Sequence, residues 1–266
     1  MKKYYILITN LLTFLALLLT TMTTAQAASK DPLQAIKNRG VLNVGVKQDV
    51  PNFGYYSAKT GTYEGMEIDV ARKLAKSLGV KVNFVPVTTQ TREPLMDNGQ
   101  IDLLIATYTI TPERQANYSI SDPYYYDETG FLVRKDSGIK SMKDLNNKVI
   151  GVSQGATTKA NLTAYASENK QNYRFVQLGS FPELAVSLYA KRIDAFSVDK
   201  SILSGYVSDK TVILKDGFNI QSYGIATKKS NTKITDYVNQ KLATWTKDGS
   251  LTKIYKKFNL TPAKAE

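Results

Sequence analysis

The chain contains neither cysteine nor histidine, and only one tryptophan. Without cysteine it can form no disulfide and offers no thiol for a lipid anchor. Missing histidine removes the commonest general base and metal ligand. Together the two absences exclude Ser-His and Cys-His nucleophilic centres and zinc sites of the usual ligand types. Catalysis would have to rest on carboxylates, Lys or Tyr, and no metal or other cofactor is expected. Negative charge is also scarce: 23 acidic residues face 35 Lys plus Arg, a formal net charge of +12.

Long apolar runs are missing after the N-terminus. There, Lys2 and Lys3 precede the apolar stretch Leu11 to Leu19, and Ala25-Gln26-Ala27 fits the small-x-small rule for signal cleavage. Residues 1–27 are therefore read as a secretory signal, because the run is shorter than the roughly 20 residues of a spanning helix. The mature protein is expected to be extracytoplasmic: secreted, associated with the cell surface, or periplasmic. Export argues against nucleic acid as the partner of the basic surface, and the cations are scattered rather than blocked. An anionic wall polymer or membrane surface is a partner such a field would attract. The alternative is a soluble basic exterior with no partner. A monomer is expected.

What is present reads as two α/β units. Val41 to Val46 (VLNVGV) is a buried strand. Met66, Val70, Leu74 and Leu78 recur every four residues, with Asp69 in the first turn and Gly79 as a stop, which makes a helix. Val80 to Phe84 alternate as a strand, a short helix runs from Arg92 to Met96, and Ile101 to Ala106 (IDLLIA) is another buried strand. The plan repeats from about Gly130 to Arg134. Ser141 with Asp144 resembles a capping box. Strands at Val149–Val152, Phe175–Leu178 and Ile193–Val198 alternate with helices opening after Gly155 and at Pro182. Strands alternating with helices imply mostly parallel sheets. Tyr223 to Thr227 reads as one further strand, and two helices follow with apolar positions Ile234, Val238, Leu242, Trp245, Leu251, Ile254, Tyr255 and Phe258. Periodicity does not say which unit they join.

Candidate site residues gather at strand ends. Thr111-Pro112-Glu113-Arg114 reads as a capped helix start. It follows the strand IDLLIA and Thr107-Tyr108-Thr109, so hydroxyls, free N–H groups and the Arg114 guanidinium converge at a strand's carboxyl end, where open α/β sheets bind ligands. An Arg fork there matches a carboxylate; an ordinary surface Arg would give the same local pattern. Gly155-Ala156-Thr157-Thr158 is a turn into a helix N-terminus, which favours an anionic group, or simply a tight turn. Asp199 ends the strand IDAFSV and is placed to receive an ammonium group, to cap the next helix, or to pair with Lys200. Lys47 ends the first strand, and Arg92 opens a helix after the second; either reads equally as a solvated charge. Tyr124, Tyr125 and Tyr126 are consecutive and cannot all face one core, so some must line a cleft or a connection between units.

These segments together resemble the extracytoplasmic amino-acid-binding proteins of ABC transporters (bacterial solute-binding proteins, family 3). The likeness rests on VGV at 44–46, EGMEIDVA at 64–71, ATYTITPER at 106–114, SDPYY at 121–125, GVSQGATTK at 151–159, KRIDAFSVDK at 191–200 and SYGIATKK at 222–229. Within that family, GVKQDVPNFGY at 45–55, TREPLMDNG at 91–99 and DAFSVDKSILSGYVSDK at 194–210 look most like the aspartate/glutamate-binding branch.

The resemblance implies a type II periplasmic-binding-protein fold, two α/β lobes joined by a two-strand hinge. One lobe would hold 28–126 plus 224–266 and the other 127–223, closing around a ligand as the handling of small solutes requires. It also implies roles. Arg114 corresponds to the grip on an α-carboxylate, helped by Thr107, Thr109, Thr157 and Thr158. Asp199 corresponds to the ammonium acceptor, and Arg92 and Lys47 to the cations meeting a side-chain carboxylate. Phe181 departs from the pattern, since related proteins can carry a ligand-bonding Tyr there. The implied function is capture of aspartate or glutamate for delivery to a membrane permease. Alternatives are a receptor for glutamine, asparagine or cystine, and a basic cell-surface adhesion protein. An enzyme would need an acid or base in the cleft without a ligand charge to meet. Glu64, Glu67 and Asp127 are candidates, but nothing in their spacing marks them.

Overall fold

A computed structural model describes residues 31–264, so the expected signal at 1–27 lies outside the described residues. Strand β1 (Val41–Val46) buries Leu42, Val44 and Val46 completely and pairs in parallel with β5 (Lys81–Pro86) on one side and β6 (Leu103–Ile105) on the other. The helix Met66–Leu78 covers this sheet with Met66, Val70 and Leu74, the residues whose four-residue spacing predicts it. It stops at Gly79, whose left-handed φ of 73° lets its N–H reach Ala75 and Lys76 carbonyls.

The first sheet has the order β5-β1-β6-β14-β7. Strand β14 (Ala226–Lys228) returns from late in the chain to lie antiparallel between β6 and β7 (Tyr118–Ile120). The second sheet has the order β10-β9-β11-β8-β12, formed by Arg174–Leu178, Val149–Ser153, Ala195–Asp199, Tyr125–Arg134 and Thr211–Ile213. Strand β13 (Phe218–Tyr223) pairs antiparallel with the first half of β8. Two mixed sheets covered by helices, with a late strand inserted in the first, are the type II arrangement the resemblance implies. The helices Thr232–Lys247 and Ser250–Lys257 pack on the first sheet's side, against β14, β7 and the helix Met66–Leu78. Lys257 also reaches Asp69 of that helix at 2.5 Å.

Two chain segments run side by side between the sheets. Tyr124 N–H donates to Tyr223 O at 2.9 Å, Ser121 N–H to Ile225 O at 2.9 Å, and Gly224 N–H to Tyr108 O at 3.0 Å. Tyr124 and Tyr125 are both buried at this connection, and Tyr125 stacks on Tyr223 with ring centroids 5.9 Å apart. The consecutive tyrosines therefore serve the joint between the sheets.

Three readings are corrected. The single strand expected over Tyr223 to Thr227 is two strands of different sheets, β13 and β14, broken at Gly224 and Ile225 because the chain crosses there. Strand β6 is shorter than Ile101 to Ala106. The segment capped by Ser141 is a 3-10 turn, Met142–Leu145, with the capping box present. A three-stranded meander was not anticipated: β2 (Asp49–Val50), β3 (Gly54–Ser57) and β4 (Thr62–Glu64). Gly65 ends it at φ 130°, with the position of a Cβ only 2.1 Å from Phe53 O, so no side chain fits.

Candidate ligand-binding site

The carboxyl ends of β6 and β11 face each other across a narrow polar pocket, partly open to solvent, with about 20 Å³ of free volume. Seven of the nine residues singled out from sequence line it: Arg92, Thr107, Thr109, Thr157, Thr158, Phe181 and Asp199. The other two border it. Arg114 lines the adjoining groove with Glu93, Gly155 and Thr157. Lys47 lies behind Phe181, its Nζ 5.0 Å from the ring centroid.

One side of the cavity is cationic. Thr111 caps the helix Pro112–Asn117 by accepting from Arg114 N–H at 3.2 Å, which fixes Arg114 one turn in. Its guanidinium donates to Thr109 O at 3.0 Å and to Gly155 O at 3.5 Å, and its Nε lies 3.3 Å from Glu93. Arg92, at the start of the helix Arg92–Asp97, is 2% exposed and donates to Ala106 O at 3.0 Å, while its buried Nε has no hydrogen-bond partner. Both guanidiniums lie over the Tyr108 ring, Arg114 at 4.1 Å and Arg92 at 4.8 Å from its centroid. A ring face attracts cations, so one aromatic residue seats both. Burial, then the charge of Arg114, lowers the Arg92 pKa to about 10, which still leaves it charged at neutral pH.

Thr107 sits between them at φ 46°, a conformation β-branched residues avoid. Its N–H donates to Glu67 Oε1 at 2.6 Å. Glu67 is fully buried in the first turn of the helix Met66–Leu78, and also accepts from Tyr124 OH. Burial pushes its pKa up to about 7, against the Tyr124 and Thr107 hydrogen bonds and the charges of Lys47 and Arg92. Sequence reasoning noted Glu67 only as one of several unplaced acids. Its signal was the EGMEIDVA segment, where it heads a helix whose neighbouring positions point inward.

The opposite side is anionic. Asp199 is 6% exposed and accepts from Thr129 Oγ1 at 3.0 Å and from Tyr223 OH. It is not a lone carboxylate, as its position at a strand end suggested, nor does it pair with Lys200, which instead meets Glu128 at 2.6 Å. Asp127 in β8 is buried close enough to couple to it, and accepts from Ser201 N–H at 3.2 Å and Glu128 N–H at 2.9 Å. Burial, then the Asp199 charge, pushes Asp127 up to about 8, and burial also raises Asp199 against the Tyr223 and Thr129 hydrogen bonds.

Lys47, read as a cation that meets a side-chain carboxylate or as a solvated charge, is not solvated: it is 1% exposed with Asp49 Oδ1 3.1 Å from its Nζ. Burial lowers its pKa and Asp49 raises it. The cations of the cavity therefore already stand beside Asp49, Glu67 and Glu93.

Contacts span the pocket. Thr89 Oγ1 lies 2.8 Å from Ser153 Oγ and donates to Gln154 O at 2.6 Å. Gly155, at φ 80°, brings its backbone so near that a Cβ would stand 2.8 Å from Thr89 O. Farther round, Tyr206 OH donates to Asp49 O.

Two sheets in this strand order, meeting over a narrow charged pocket, define a type II periplasmic-binding-protein-like architecture. The chain belongs to the bacterial extracellular solute-binding proteins, family 3, whose profile matches residues 42–261. It is similar to the ABC transporter glutamine-binding protein GlnH of Bacillus subtilis, with 34% identity over 88% of this chain and 86% of that protein. It is also similar to the L-cystine-binding protein TcyJ of Escherichia coli, with 30% identity over 91% of each. Among solved structures it resembles the ancestral amino acid-binding protein AncCDT-1, described as a precursor of cyclohexadienyl dehydratase. That match has a TM-score of 0.78 and 32% identity, and covers 85% of this chain and 98% of the other. Among the described residues, no helix is long and apolar enough to cross a membrane.

Proposed function

We propose that this protein captures an acidic α-amino acid, aspartate or glutamate, outside the cytoplasm and delivers it to the permease of an ABC importer. The observation that carries the reading is one narrow pocket lined by Arg92 and Asp199, with Arg114 in the adjoining groove and Asp127 buried behind Asp199. In this reading Arg114, Thr109 and the helix N-terminus at Thr157 and Thr158 take the α-carboxylate. Asp199 takes the ammonium group, whose charge favours the ionised carboxylate. The side-chain carboxylate points to Arg92, whose Nε lacks a partner, and towards Lys47 past Phe181. The two lobes are 28–126 plus 224–266 and 127–223, hinged where the paired segments cross.

A second reading, a neutral ligand such as glutamine, asparagine or cystine, is favoured by the Lys47–Asp49 ion pair and by what the named relatives bind. Binding without catalysis fits both, since Glu67 and Asp127 are each engaged by hydrogen bonds within the protein.

A thermal-shift screen of the twenty amino acids plus cystine tests the choice, because a ligand bound only by the folded state raises the melting temperature. Aspartate and glutamate should give the largest rises. A larger rise with glutamine or cystine would overturn the acidic reading, and no rise with any would overturn the receptor. Arg114→Ala should weaken binding by roughly 3 to 5 kcal/mol in calorimetry, the cost of breaking a buried charge pair.

A further inference from the structure

We propose that Glu67 is a specificity-determining residue: without touching the ligand, its charge sets how strongly the Arg92 and Lys47 end of the cavity prefers a carboxylate to a carboxamide. The inference rests on the function proposed above and concerns the same site.

Glu67 lies on the protein side of the cavity wall. Its surroundings are Thr107 N–H, Tyr124 OH from the segment entering β8, and the charges of Lys47 at the end of β1 and Arg92 in its helix. Asp49 and Arg114 act at one remove, through Lys47 and Arg92. Among the described residues, Asp127 and Asp199 are the acids coupled to each other across the cavity.

Both hydrogen bonds use Oε1, and Oε2 has no partner. A neutral glutamine would satisfy the same two donors, so hydrogen bonding does not require the negative charge. What the charge does is oppose Lys47 and Arg92 in a region with little water to screen it. Ionised, Glu67 offsets part of the positive field that a ligand carboxylate meets. Protonated, it leaves that field unopposed. A carboxamide carries no net charge and is nearly indifferent to the change. With burial holding the group near pH 7, a modest change of pH moves it between the two states. Binding a dicarboxylate should in turn hold the proton on Glu67 more firmly, by reciprocity.

Asp127 also titrates in this range, but it lies beside Asp199, which faces the ammonium group that glutamate and glutamine share, so its effect cancels in the ratio of their affinities. Burial lowers the Lys47 pKa as well, and the Glu67→Gln variant separates the two groups. The test is therefore calorimetric titration of the full chain with glutamate and with glutamine from about pH 5.5 to about pH 8.5. In the wild type the glutamate-to-glutamine affinity ratio should rise about tenfold as pH falls through this range, the size expected of one buried charge acting at a low effective dielectric. In Glu67→Gln the ratio should stay at the high, low-pH value throughout. Tyr124→Phe removes a donor to the ionised carboxylate, so its transition should move to higher pH.

A wild-type ratio that does not change with pH overturns the proposal. So does a ratio that still changes in Glu67→Gln. Should that variant not fold, the wild-type and Tyr124→Phe profiles decide. If glutamate and glutamine both give no binding heat at any pH, the proposed function fails first and this inference falls with it.

Discussion

A carboxyl group with no exposed surface is expensive to ionise even beside two buried cations, and Glu67 makes that cost measurable. Its unfolded value of 4.5 rises to about 7 in the folded protein. Below about pH 4.5 the folded and unfolded forms both keep the proton, and the group costs nothing. Between the two values only the unfolded chain releases it, so stability falls as pH rises, by about 3 kcal/mol once pH passes 7. Glu67→Gln lacks this term. Its stability relative to wild type in denaturant melts should therefore improve by about that amount from about pH 4 to about pH 8. Across the cavity, Asp199→Asn should abolish most ligand binding by removing the ammonium acceptor, at a cost of roughly 3 to 5 kcal/mol in calorimetry. At this scale sequence was informative about residues that end strands. Asp199 ends a hydrophobic strand, Lys47 follows one, and Arg114 sits in the capped helix start beyond another; none is marked alone, and their shared location is the signal. Asp127, Asp49 and Glu67 were not legible in the same way. One sits within a long strand, one opens a two-residue strand, and one heads a helix as any first-turn acid would, so only the folded chain brings them beside the charges they serve.

Elements follow the same division. The helix Met66–Leu78 and the C-terminal pair were legible because four-residue spacing of large apolar side chains has one common solution. The meander of β2, β3 and β4 carries no alternating pattern: Tyr55 and Tyr56 are both exposed, and the strands are too short for periodicity to register. The crossing from β13 to β14 looked like one strand because every residue from Tyr223 to Thr227 is buried, although the chain changes sheet in the middle. The turn before the helix Thr158–Glu168 supports a prediction. Gly155→Ala strains a left-handed backbone and places a methyl group against Thr89 O, across the pocket. Ligand affinity should fall at least tenfold in calorimetry, as a methyl obstructing closure by more than about 1.4 kcal/mol would require. Melting of the ligand-free chain should change much less.

For the whole molecule, the described form is bridged across the pocket by Thr89 and Ser153, so on the proposed two-lobe reading a ligand held there should shift the population towards it. Small-angle scattering should then record a smaller radius of gyration with saturating ligand than without. Without Lys2 and Lys3 of the expected signal the formal net charge falls from +12 to +10, and this basic exterior offers a way to stay near an anionic envelope. If it does, high salt should release the protein from whole cells, because exposed charges are screened within about 10 Å at 0.1 M. Retention at high salt would count against an electrostatic tether.

The hydroxyl pair at the rim of the cavity makes the chain easy to engineer as a switchable trap. Thr89, just after β5, and Ser153, at the end of β9, lie 2.8 Å apart, and the chain has no thiol of its own to compete. Replacing both with cysteine would place two thiols face to face across the pocket. Mild oxidation with ligand present should then imprison it through exhaustive dialysis, and a reductant should let it go.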